Sequence, residues 1–560
     1  MRRSGSLSER QPFVDPAELP SPASSTTLGE YDYDAEDVEK NAARRGLLSA
    51  GGGQSWSSWL RSRQRGFRRI FRRHPGRPLF TVLKYAILMI CILFVGTPIF
   101  APSYTRQPQH YRDLAARCAV DGGKSAAASG GCANPFKEKV FISVSLYDKD
   151  GHLAMGSWGQ TLLELVHLIG EDNVYVSIYE NDSGEAGEKA LNWLKSQLKC
   201  RHKVVYDPHV ALSDFPTVRM PDGTDRTKRL AYLSEMRNRP LRPLDQVDEQ
   251  DGVVEYDKIL FLNDVAFHPV DAAQLLFSTN IGPDGRTRYL STCGMDFDNP
   301  LLFYDLYAQR DAEGFSNGLP IFPYFSNAGA GLSRTAVLRQ VDAVPVTACW
   351  GGIVAMQARY VQNLNSSLPD PQFRDIGRHV IDPAKPVNVA SPVRFRYEPE
   401  VFYDACECCL FLADVTQAAR KQIAGVENQN KDPGDLGLGT YVNPFVRVAY
   451  SQKTLAWLPW VRRWERLLSV PQRILTSILR LPTHNPHRAV REGEALKEEI
   501  WINNDGGGGG GRWELVPRQA RNGMQCGVRE MQLVQQSQRT NDVNWQNTQM
   551  PPGQALYFPT

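Results

Sequence analysis

Residues Asp257-Lys-Ile-Leu-Phe-Leu-Asn-Asp264 give the clearest indication of the fold. Its centre, residues 259–262, is a short apolar run between polar residues, which predicts a strand buried on both faces of a parallel sheet. The strand ends on Asn263 and Asp264, and ligands of open α/β sheets bind beyond the carboxyl ends of strands. A carboxylate there can hold a divalent cation, and the cation can hold a diphosphate. The alternative is that Asp264 only caps the following turn, where Asp is common.

Strands and helices alternate on both sides of this stretch. The apolar patterns predict strands over 140–146, 174–179, 204–206 and 289–294, and helices over 158–169, 185–198 and 226–239. A β-α-β-α order is typical of a parallel sheet that carries helices on both faces. We therefore expect one α/β domain over residues 137–460.

A long apolar segment precedes this domain. Residues 79–101 have about the ~20-residue length that a bilayer core requires, and their one charge, Lys84, lies near one end. Eight arginines lie within residues 61–77 without an acidic residue, whereas three lie within residues 102–117. This asymmetry predicts a single-pass helix with a cytosolic N-terminus and a lumenal C-terminal side. A buried core helix and a cleaved signal peptide are the weaker alternatives.

The remaining segments have compositions that predict little regular structure. Residues 1 to about 60 are rich in Ser, Pro, Gly and acids and predict a disordered cytosolic tail, which the basic block extends to residue 78. Residues 102–136 predict a lumenal stem, and residues 461–505 a helical extension. The basic, apolar residues 457–479 either pack on the domain or lie on the membrane surface, and packing is favoured. Six glycines at 506–511 then predict a flexible linker and a disordered tail to residue 560.

Charge and cysteine content restrict the partners and the compartment. The net charge is only +3 and the basic residues cluster beside the apolar segment, so we expect no nucleic-acid partner. Nine of the ten cysteines follow that segment, an odd number that leaves at least one without a partner in the chain. Cys118 and Cys132 are the favoured local pair. The cluster Cys406-Glu-Cys-Cys409 lacks the second C-x-x-C of a zinc site. Glycosylation triplets begin at Asn181 and Asn365, although such triplets also occur by chance.

Polar side chains follow the predicted strands and meet at one edge of the sheet. No G-x-G-x-x-G or P-loop follows the first predicted strand, which disfavours dinucleotide enzymes and NTPases. No predicted strand runs directly into a G-x-S-x-G elbow, which disfavours α/β hydrolases. A nucleotide site without a phosphate loop requires another source of positive charge. A cation on Asp264, together with Arg237 from the preceding helix, supplies it. Behind a membrane anchor, this combination predicts a nucleotide-sugar-dependent glycosyltransferase.

Several short motifs carry a resemblance to a known family. The sequence resembles the fungal capsule-associated α-1,3-mannosyltransferase family, of the cryptococcal mannosyltransferase type, across residues 137–420. The eight matching pieces are Val140-Phe-Ile-Ser-Val-Ser-Leu-Tyr147, Tyr175-Val-Ser-Ile-Tyr-Glu-Asn-Asp182, Glu235-Met-Arg-Asn238, Ile259-Leu-Phe-Leu-Asn-Asp264, Cys293-Gly-Met-Asp-Phe-Asp298, Phe325-Ser-Asn-Ala-Gly329, Cys349-Trp-Gly-Gly352 and Cys406-Glu-Cys-Cys409.

The resemblance implies a fold, a donor and a location. It implies an α/β, GT-A-like nucleotide-sugar-binding mixed sheet flanked by helices, behind the single-pass transmembrane helix. It implies transfer from GDP-mannose to a mannose-containing glycan acceptor in α-1,3 linkage with retention, assisted by Mn²⁺ or another divalent cation. The implied location is the Golgi membrane in type II orientation with a lumenal catalytic domain, together with Golgi complex partners.

Because Asn263-Asp264-Val265 is not a full D-x-D, the metal has one protein carboxylate or is dispensable. A non-catalytic subunit of a glycan assembly complex is therefore the alternative function.

Roles transfer from the family to this sequence position by position. Asp264 is the expected metal ligand and a catalytic residue, and Glu407 or Asp404 is the expected acid/base group. The expected donor-binding residues are Tyr147, Glu180, Asp182, Arg237, Asn238 and Asn263. The expected acceptor-binding residues are Asp296, Asp298 and Trp350, of which the two aspartates form a literal D-x-D and are the rival metal site. The structural alternatives are turns for the aspartates, a solvated helix face for Arg237 and a core position for Trp350.

Overall fold

The computed structural model describes residues 76–119, 131–245, 254–362, 392–424, 437–504, 510–536, 543–553, 556 and 558–559. Three predictions lie outside these residues: the disordered N-terminal tail of residues 1 to about 60, the basic block up to residue 75, and the glycosylation triplet at Asn365.

The elements are numbered here in chain order. The helices are α1 (Gly76–Phe100), α2 (Gln109–Cys118), α3 (Ser157–Ile169), α4 (Gly184–Gln197), α5 (Arg229–Asn238), α6 (Pro269–Ser278), α7 (Leu332–Leu338), α8 (Glu407–Ala424), α9 (Gln452–Val461) and α10 (Ser469–Ile478). The strands are β1 (Val140–Leu146), β2 (Val174–Asn181), β3 (Arg201–Asp207), β4 (Val218–Arg219), β5 (Asp225–Arg226), β6 (Lys258–Leu262), β7 (Ser291–Asn299), β8 (Leu302–Phe303), β9 (Arg310–Asp311), β10 (Val344–Ala348), β11 (Ile353–Gln357), β12 (Asp404–Ala405), β13 (Thr440–Ala449), β14 (Thr483–His484), β15 (Ala495–Asn503), β16 (Gly511–Gln519), β17 (Gly527–Val528), β18 (Gln532–Gln536), β19 (Val543–Asn547) and β20 (Phe558–Pro559).

One large mixed sheet organises the domain. Its strand order is β3-β2-β1-β6-β11-β7-β13-β10-β9, with β8 paired to β7. Strands β3, β2, β1 and β6 are parallel neighbours, as the β-α-β-α alternation predicts. Strand β11 then runs antiparallel to both β6 and β7, so the sheet is mixed and not purely parallel. Because β6 and β7 are both antiparallel to β11, their carboxyl ends lie at the same edge.

Helices cover both faces of this sheet, and strand alternation decides which side chains meet them. On β1, Ile142 and Val144 pack with Leu162 of α3 and Leu191 of α4 on one face. Phe141 points to the other face, where Leu241 and the buried start of α8 pack. Successive side chains of a strand point to opposite faces, so two apolar cores form from one strand. The mixed α/β sheet flanked by helices is confirmed.

Helix α1 is the apolar segment predicted to cross a membrane. Phe80–Phe100 is long and apolar enough to span a bilayer, with 6% of its most apolar window buried against the rest of the protein. The predicted bounds, 79–101, agree with the helix to within a few residues. The assignment of α1 as a candidate membrane-spanning helix rests on its length and composition.

The segment predicted as a stem is largely part of the domain. Helix α2 packs on α6, and Tyr111 and Leu114 of α2 are fully buried. The Tyr111 hydroxyl accepts a hydrogen bond from Asn443 at 2.6 Å. Composition alone indicated a linker, but these two apolar residues, three positions apart on α2, form a buried helix face.

The prediction of a disordered C-terminal tail was wrong for the described residues. Strands β15 and β16 form a nine-pair antiparallel hairpin around the glycine run, and β18 pairs with β19. The helical extension predicted to residue 505 ends at Ile478, beyond which the chain forms strands and short turns. The hairpin residues Trp501 and Trp513 pack on Phe402, so the segment belongs to the globular structure.

Three disulfides join Cys118 to Cys132, Cys293 to Cys349 and Cys409 to Cys526. The predicted local pair is confirmed. Of the nine cysteines after α1, three are buried and lie outside these disulfides: Cys200, Cys406 and Cys408.

Candidate active site

A cleft opens between α5 and the carboxyl ends of β1, β2 and β6. The cleft is open to solvent, and the empty space in and above it is about 520 Å³. This is the sheet edge at which the sequence predicted a ligand. The lining residues are Ser145, Leu146, Tyr147, Asn181, Arg229, Tyr232, Leu233, Met236, Arg237, Asn263 and Asp264.

Asp264 lies in this cleft directly after β6, as predicted, and Asn263 holds it in place. The Asn263 backbone N–H donates to the Gly352 carbonyl at 2.9 Å, and its own carbonyl accepts from the Trp158 indole at 3.0 Å. Its side-chain oxygen accepts from the Trp350 indole at 3.3 Å and from Arg237 at 3.4 Å. Since the amide oxygen is already engaged, Asn263 serves mainly to position Asp264 and Arg237.

Arg237 provides positive charge to the cleft from α5. Its Nε donates to Glu407 Oε1 at 3.1 Å, and its guanidinium lies 5.0 Å from the centre of the Trp350 ring. Glu407 is completely buried, whereas the Arg237 side chain is 11% exposed toward the cleft. A guanidinium fixed by a carboxylate behind it and a ring beside it is pre-organised to receive phosphate oxygens in front.

A second cation, Arg229, was missed by sequence reasoning. Its Nη1 donates to Gln532 Oε1 at 2.7 Å, and its guanidinium lies 4.0 Å from the Trp545 ring centre. Both anchors belong to the C-terminal segment that was predicted to be disordered. The signal within α5 was nevertheless present, because Arg229, Tyr232, Leu233, Met236 and Arg237 follow the i, i+3, i+4, i+7, i+8 spacing of one helix face. All five line the cleft.

An acidic cluster lies further along the same sheet edge. Asp296 of β7 accepts a hydrogen bond from the Tyr450 hydroxyl at 2.9 Å and from the Asp305 backbone N–H at 3.1 Å. Burial, reinforced by the neighbouring Asp305 carboxylate, raises the pKa of Asp296 to about 8. The pKa of Tyr450 is raised by its own burial and by the Asp296 carboxylate, with a smaller contribution from Asp264. This cluster therefore borders the Asp264 site through Tyr450.

The acceptor-binding predictions are not supported by this geometry. Asp296 is 1% exposed and Trp350 is 2% exposed, so neither presents a surface to an acceptor. Trp350 is a core residue beneath Arg237, which was the structural alternative. Asp298 is exposed, yet it lies outside the residues that line the cleft.

Strand β2 presents Asn181 to the cleft and turns Glu180 away from it. Glu180 shares the strand face of Val176 and Ile178 and is completely buried, where burial raises its pKa to about 7. The structure therefore does not place Glu180 among the residues that line the cleft, and its donor contact stays a prediction. Asn181 Nδ2 donates to the Tyr232 hydroxyl at 2.7 Å and to Asp182 at 2.6 Å, and the residue is 5% exposed. Because its amide nitrogen is buried and donates to two partners, the structure does not favour a glycan on Asn181. Asp182 lies beside the cleft and also contacts His209 at 2.8 Å.

Three further residues that were predicted to act at the site have structural roles in this fold. Asn238 bonds both the N–H and the carbonyl of Phe395 through its side-chain amide, so it is not free for a donor. Asp404 pairs with the buried Lys228 at 2.8 Å and accepts from the Gln532 N–H, which joins it to the C-terminal segment. Glu407 holds Arg237 from behind, and its complete burial is incompatible with an acid/base role at the cleft.

Comparison with protein families identifies the domain. Residues 139–414 match the family model described as Cryptococcal mannosyltransferase 1. The α/β domain therefore belongs to the cryptococcal mannosyltransferase family. Membership assigns the domain to the glycosyltransferases, with mannosyl transfer as the general activity. It also confirms the resemblance carried by the eight motifs.

The other comparisons add little to this assignment. Comparison with curated protein sequences gave no significant match. Among solved structures, the mannosyltransferase PcManGT from Pyrobaculum calidifontis, in complex with GDP-Man and Mn²⁺, aligns with 71% of this chain and 81% of its own. The identity is 11% and the TM-score is 0.26, which is too low to support an argument about fold or ligand.

Two motifs of this mannosyltransferase meet beneath the cleft. Cys349 is bonded to Cys293, which ties Cys349-Trp-Gly-Gly352 to the strand that carries Asp296. Gly351 and Gly352 both have left-handed φ values, +61° and +69°, and a Cβ on Gly351 would lie 2.2 Å from the Gly294 carbonyl oxygen. Only glycine fits this turn. The turn places the Gly352 carbonyl where it fixes Asn263.

Proposed function

We propose that this protein transfers mannose from GDP-mannose to a mannose-containing glycan acceptor. The observation that carries the proposal is the cleft in which one carboxylate, Asp264, shares the sheet edge with two anchored guanidiniums, Arg229 and Arg237. Guanidiniums recognise phosphate oxygens, so this charge pattern suits a nucleoside diphosphate donor. Family membership supplies mannose as the transferred sugar.

A divalent cation such as Mn²⁺ fits this site with Asp264 as its protein ligand. Asp264 is the one carboxylate among the residues that line the cleft, and the Asn263 oxygen is occupied by Arg237 and Trp350. Cations of this class often take one or two carboxylates and fill the remaining positions with substrate phosphates and water. When bound, the cation would supply charge neutralisation to the diphosphate. Arg237 and Arg229 would bind the same group and stabilise the negative charge that develops as it leaves.

The finer assignment is α-1,3 transfer with retention of configuration by a single-pass type II protein of the Golgi membrane, with α1 as the anchor and a lumenal domain. Retention requires a double displacement through a carboxylate or departure and attack on the same face of the sugar. In the described structure Glu407 and Asp404 are buried and paired, which leaves Asp264 as the carboxylate that lines the cleft. Same-face transfer is therefore the favoured route.

A second candidate function is a non-catalytic subunit of a glycan assembly complex. The single carboxylate of the cleft favours it, because a full D-x-D would offer two. Such a subunit would bind GDP-mannose without transferring the sugar.

The decisive experiment measures transfer by the purified full chain with radiolabelled GDP-mannose, Mn²⁺ and an α-mannoside acceptor. We expect Asp264→Asn to reduce kcat by roughly 100-fold or more, the effect of removing a key electrostatic group. Asp298→Asn is the matched control, because Asp298 is exposed outside the cleft, and it should retain activity. NMR of the product reports the linkage and the anomeric configuration. Absence of transfer with GDP-mannose, in a protein that binds this donor, would replace the first function with the second.

A further inference from the structure

The segment from α9 to α10 has an apolar surface that no described part of the protein covers. The exposed fractions are 54% for Trp457, 54% for Trp460, 64% for Val470, 53% for Ile474 and 69% for Ile478. Leu475 and Leu479 are exposed as well. We call these seven residues the α9–α10 face. Its five residues between 470 and 479 follow the i, i+4 and i, i+3 spacing of one helix side, and exposed apolar surface of this kind marks an interaction site in a folded protein.

Helix α10 is amphipathic in the reverse sense to a helix of a water-soluble surface. Its buried residues are polar: Gln472 is completely buried and Thr476, one turn later, is 7% exposed. Arg334 donates to Gln472 Oε1 at 2.5 Å, and the Leu319 N–H donates to Thr476 Oγ1 at 3.3 Å. Helices at a water surface bury their apolar stripe. The reversal means that the outer side of α10 is adapted to an apolar environment.

The same segment is attached to the membrane-spanning candidate α1. Pro98 has no N–H, so it leaves the carbonyl of Phe94, four residues earlier, without its helical donor. The Trp464 indole donates to that carbonyl at 3.0 Å, and its ring stacks on Phe94 with centroids 5.5 Å apart. An unsatisfied carbonyl is costly in hydrocarbon, where water cannot replace the missing donor. Trp464 therefore completes the hydrogen bonding of α1.

This contact also sets the depth of the segment. Phe94 lies six residues before the end of α1 at Phe100, which is about 9 Å along the helix axis. If α1 crosses the bilayer, Trp464 lies at the depth of Phe94, which is inside the membrane surface from which the helix emerges. The chain is clamped at the same place by the Ser103 N–H, which donates to the Arg462 carbonyl at 2.9 Å. The α9–α10 face then begins at the level of the lipid head groups.

The charges around the face complement phospholipids. Between residues 452 and 480 there are six basic residues and one acid. The acid, Glu465, is buried in an ion pair with Arg447, whereas Arg463, Arg473 and Arg480 are exposed. Arg463 also lies 4.9 Å from the Trp460 ring centre. Tryptophans and arginines beside aliphatic side chains are the composition of a helix that lies in the membrane interface.

We propose that the α9–α10 face is immersed in the head-group layer of the bilayer that α1 crosses, as a second membrane attachment with phospholipid as its ligand. The inference rests on the proposed membrane anchor. Two attachments, one across the bilayer and one along its surface, would restrict the tilt of the catalytic domain. The membrane-surface alternative for residues 457–479 is thereby favoured over packing on the domain.

The test uses the full chain reconstituted in phosphatidylcholine–phosphatidylserine vesicles that contain a diazirine-bearing phosphatidylcholine. After irradiation, trypsin and mass spectrometry report lipid adducts on separate peptides. We expect peptide 474–480, which carries four residues of the face, to be labelled several-fold more than peptide 513–518. The latter is a matched reference because it carries Leu515, which is 58% exposed on the hairpin β15–β16.

The variant Ile474→Asp/Ile478→Asp changes exposed positions and should fold. We expect its labelling of the neighbouring peptide 467–473 to fall toward the level of peptide 513–518, whereas Leu515→Asp should leave that labelling unchanged. Equal labelling of peptides 474–480 and 513–518 in the unsubstituted protein would overturn the proposal and favour a protein partner or a second copy as the occupant. Peptide 85–106 from α1 reports the anchor separately. If peptide 85–106 is unlabelled while peptide 474–480 is labelled, α1 is not a membrane anchor, but the α9–α10 face still contacts lipid.

Discussion

The two arginines of the cleft lie on one helix face, yet different parts of the chain hold them. Arg237 is held by Glu407, Asn263 and Trp350, all within the residues that match the mannosyltransferase family. Arg229 is held by Gln532 and Trp545, which lie beyond residue 414. One cation is thus built by the family domain and the other by the C-terminal segment. The C-terminal segment is therefore part of the site and not an appendage.

The largest expected effect is on Arg237. Arg237→Ala leaves the Glu407 carboxylate buried without its cation, which typically costs about 3–5 kcal/mol of unfolding free energy. We expect this loss in chemical denaturation, together with loss of transfer. Arg237→Lys keeps the charge and should recover most of the stability, but not the activity, because an ammonium lacks the planar fork that binds phosphate. If Arg237→Ala unfolds at the denaturant concentration of the unsubstituted protein, the Glu407 pair does not support the helix.

The next effect concerns the anchor of Arg229. Trp545→Ala removes a cation–π contact of about 0.5–2 kcal/mol, which corresponds to a roughly 2- to 30-fold rise in the KM for GDP-mannose. We expect kcat to change little, because the guanidinium remains but is less well oriented. Trp545→Phe is the matched control and should stay near the original KM, because it retains an aromatic face. An unchanged KM in Trp545→Ala would show that the C-terminal segment does not contribute to donor binding.

The smallest effect, per pH unit, is a pH dependence of stability at the acidic cluster, in which Asp296 of β7 and Asp305 after β8 lie near the same sheet edge as both arginines. Burial raises the pKa of Asp296 to about 8, above its unfolded value, so between these values the folded chain binds a proton that the unfolded chain has released. The free energy of unfolding therefore falls as pH rises through this window, by at most about 1.4 kcal/mol per pH unit from this group.

Asp296→Asn should flatten that slope, and the difference between the two unfolding curves isolates Asp296 from other titrating groups. Parallel curves for the two proteins would contradict the raised pKa. Because Arg229 and Arg237 are unchanged in Asp296→Asn, the comparison also shows whether the acidic cluster affects stability independently of these two donor-binding cations.

Strand faces show where local information was sufficient and where it was misread. In β2, Val174, Val176 and Ile178 alternate toward the helices, so the same alternation sends Glu180 to that side and Asn181 to the cleft. The pattern was in the sequence, but both strand-end acids were expected at the ligand. In α5 the helical spacing that includes Arg237 also includes Arg229.

Local sequence patterns were sufficient to predict the apolar helix α1, the strands β1, β2 and β6, and the placement of Asp264 at a carboxyl edge. Each of these depends on periodicity or an apolar run within a few residues. Tertiary structure decided the insertion of β11 and the burial of Trp350 and Glu407, and it brought the C-terminal segment to the cleft. Those outcomes depend on partners far apart in the chain: Cys409 pairs with Cys526 across 117 residues, and Arg229 bonds Gln532 across 303. A contact between distant segments leaves no periodic trace in either of them, so only the folded chain reveals it.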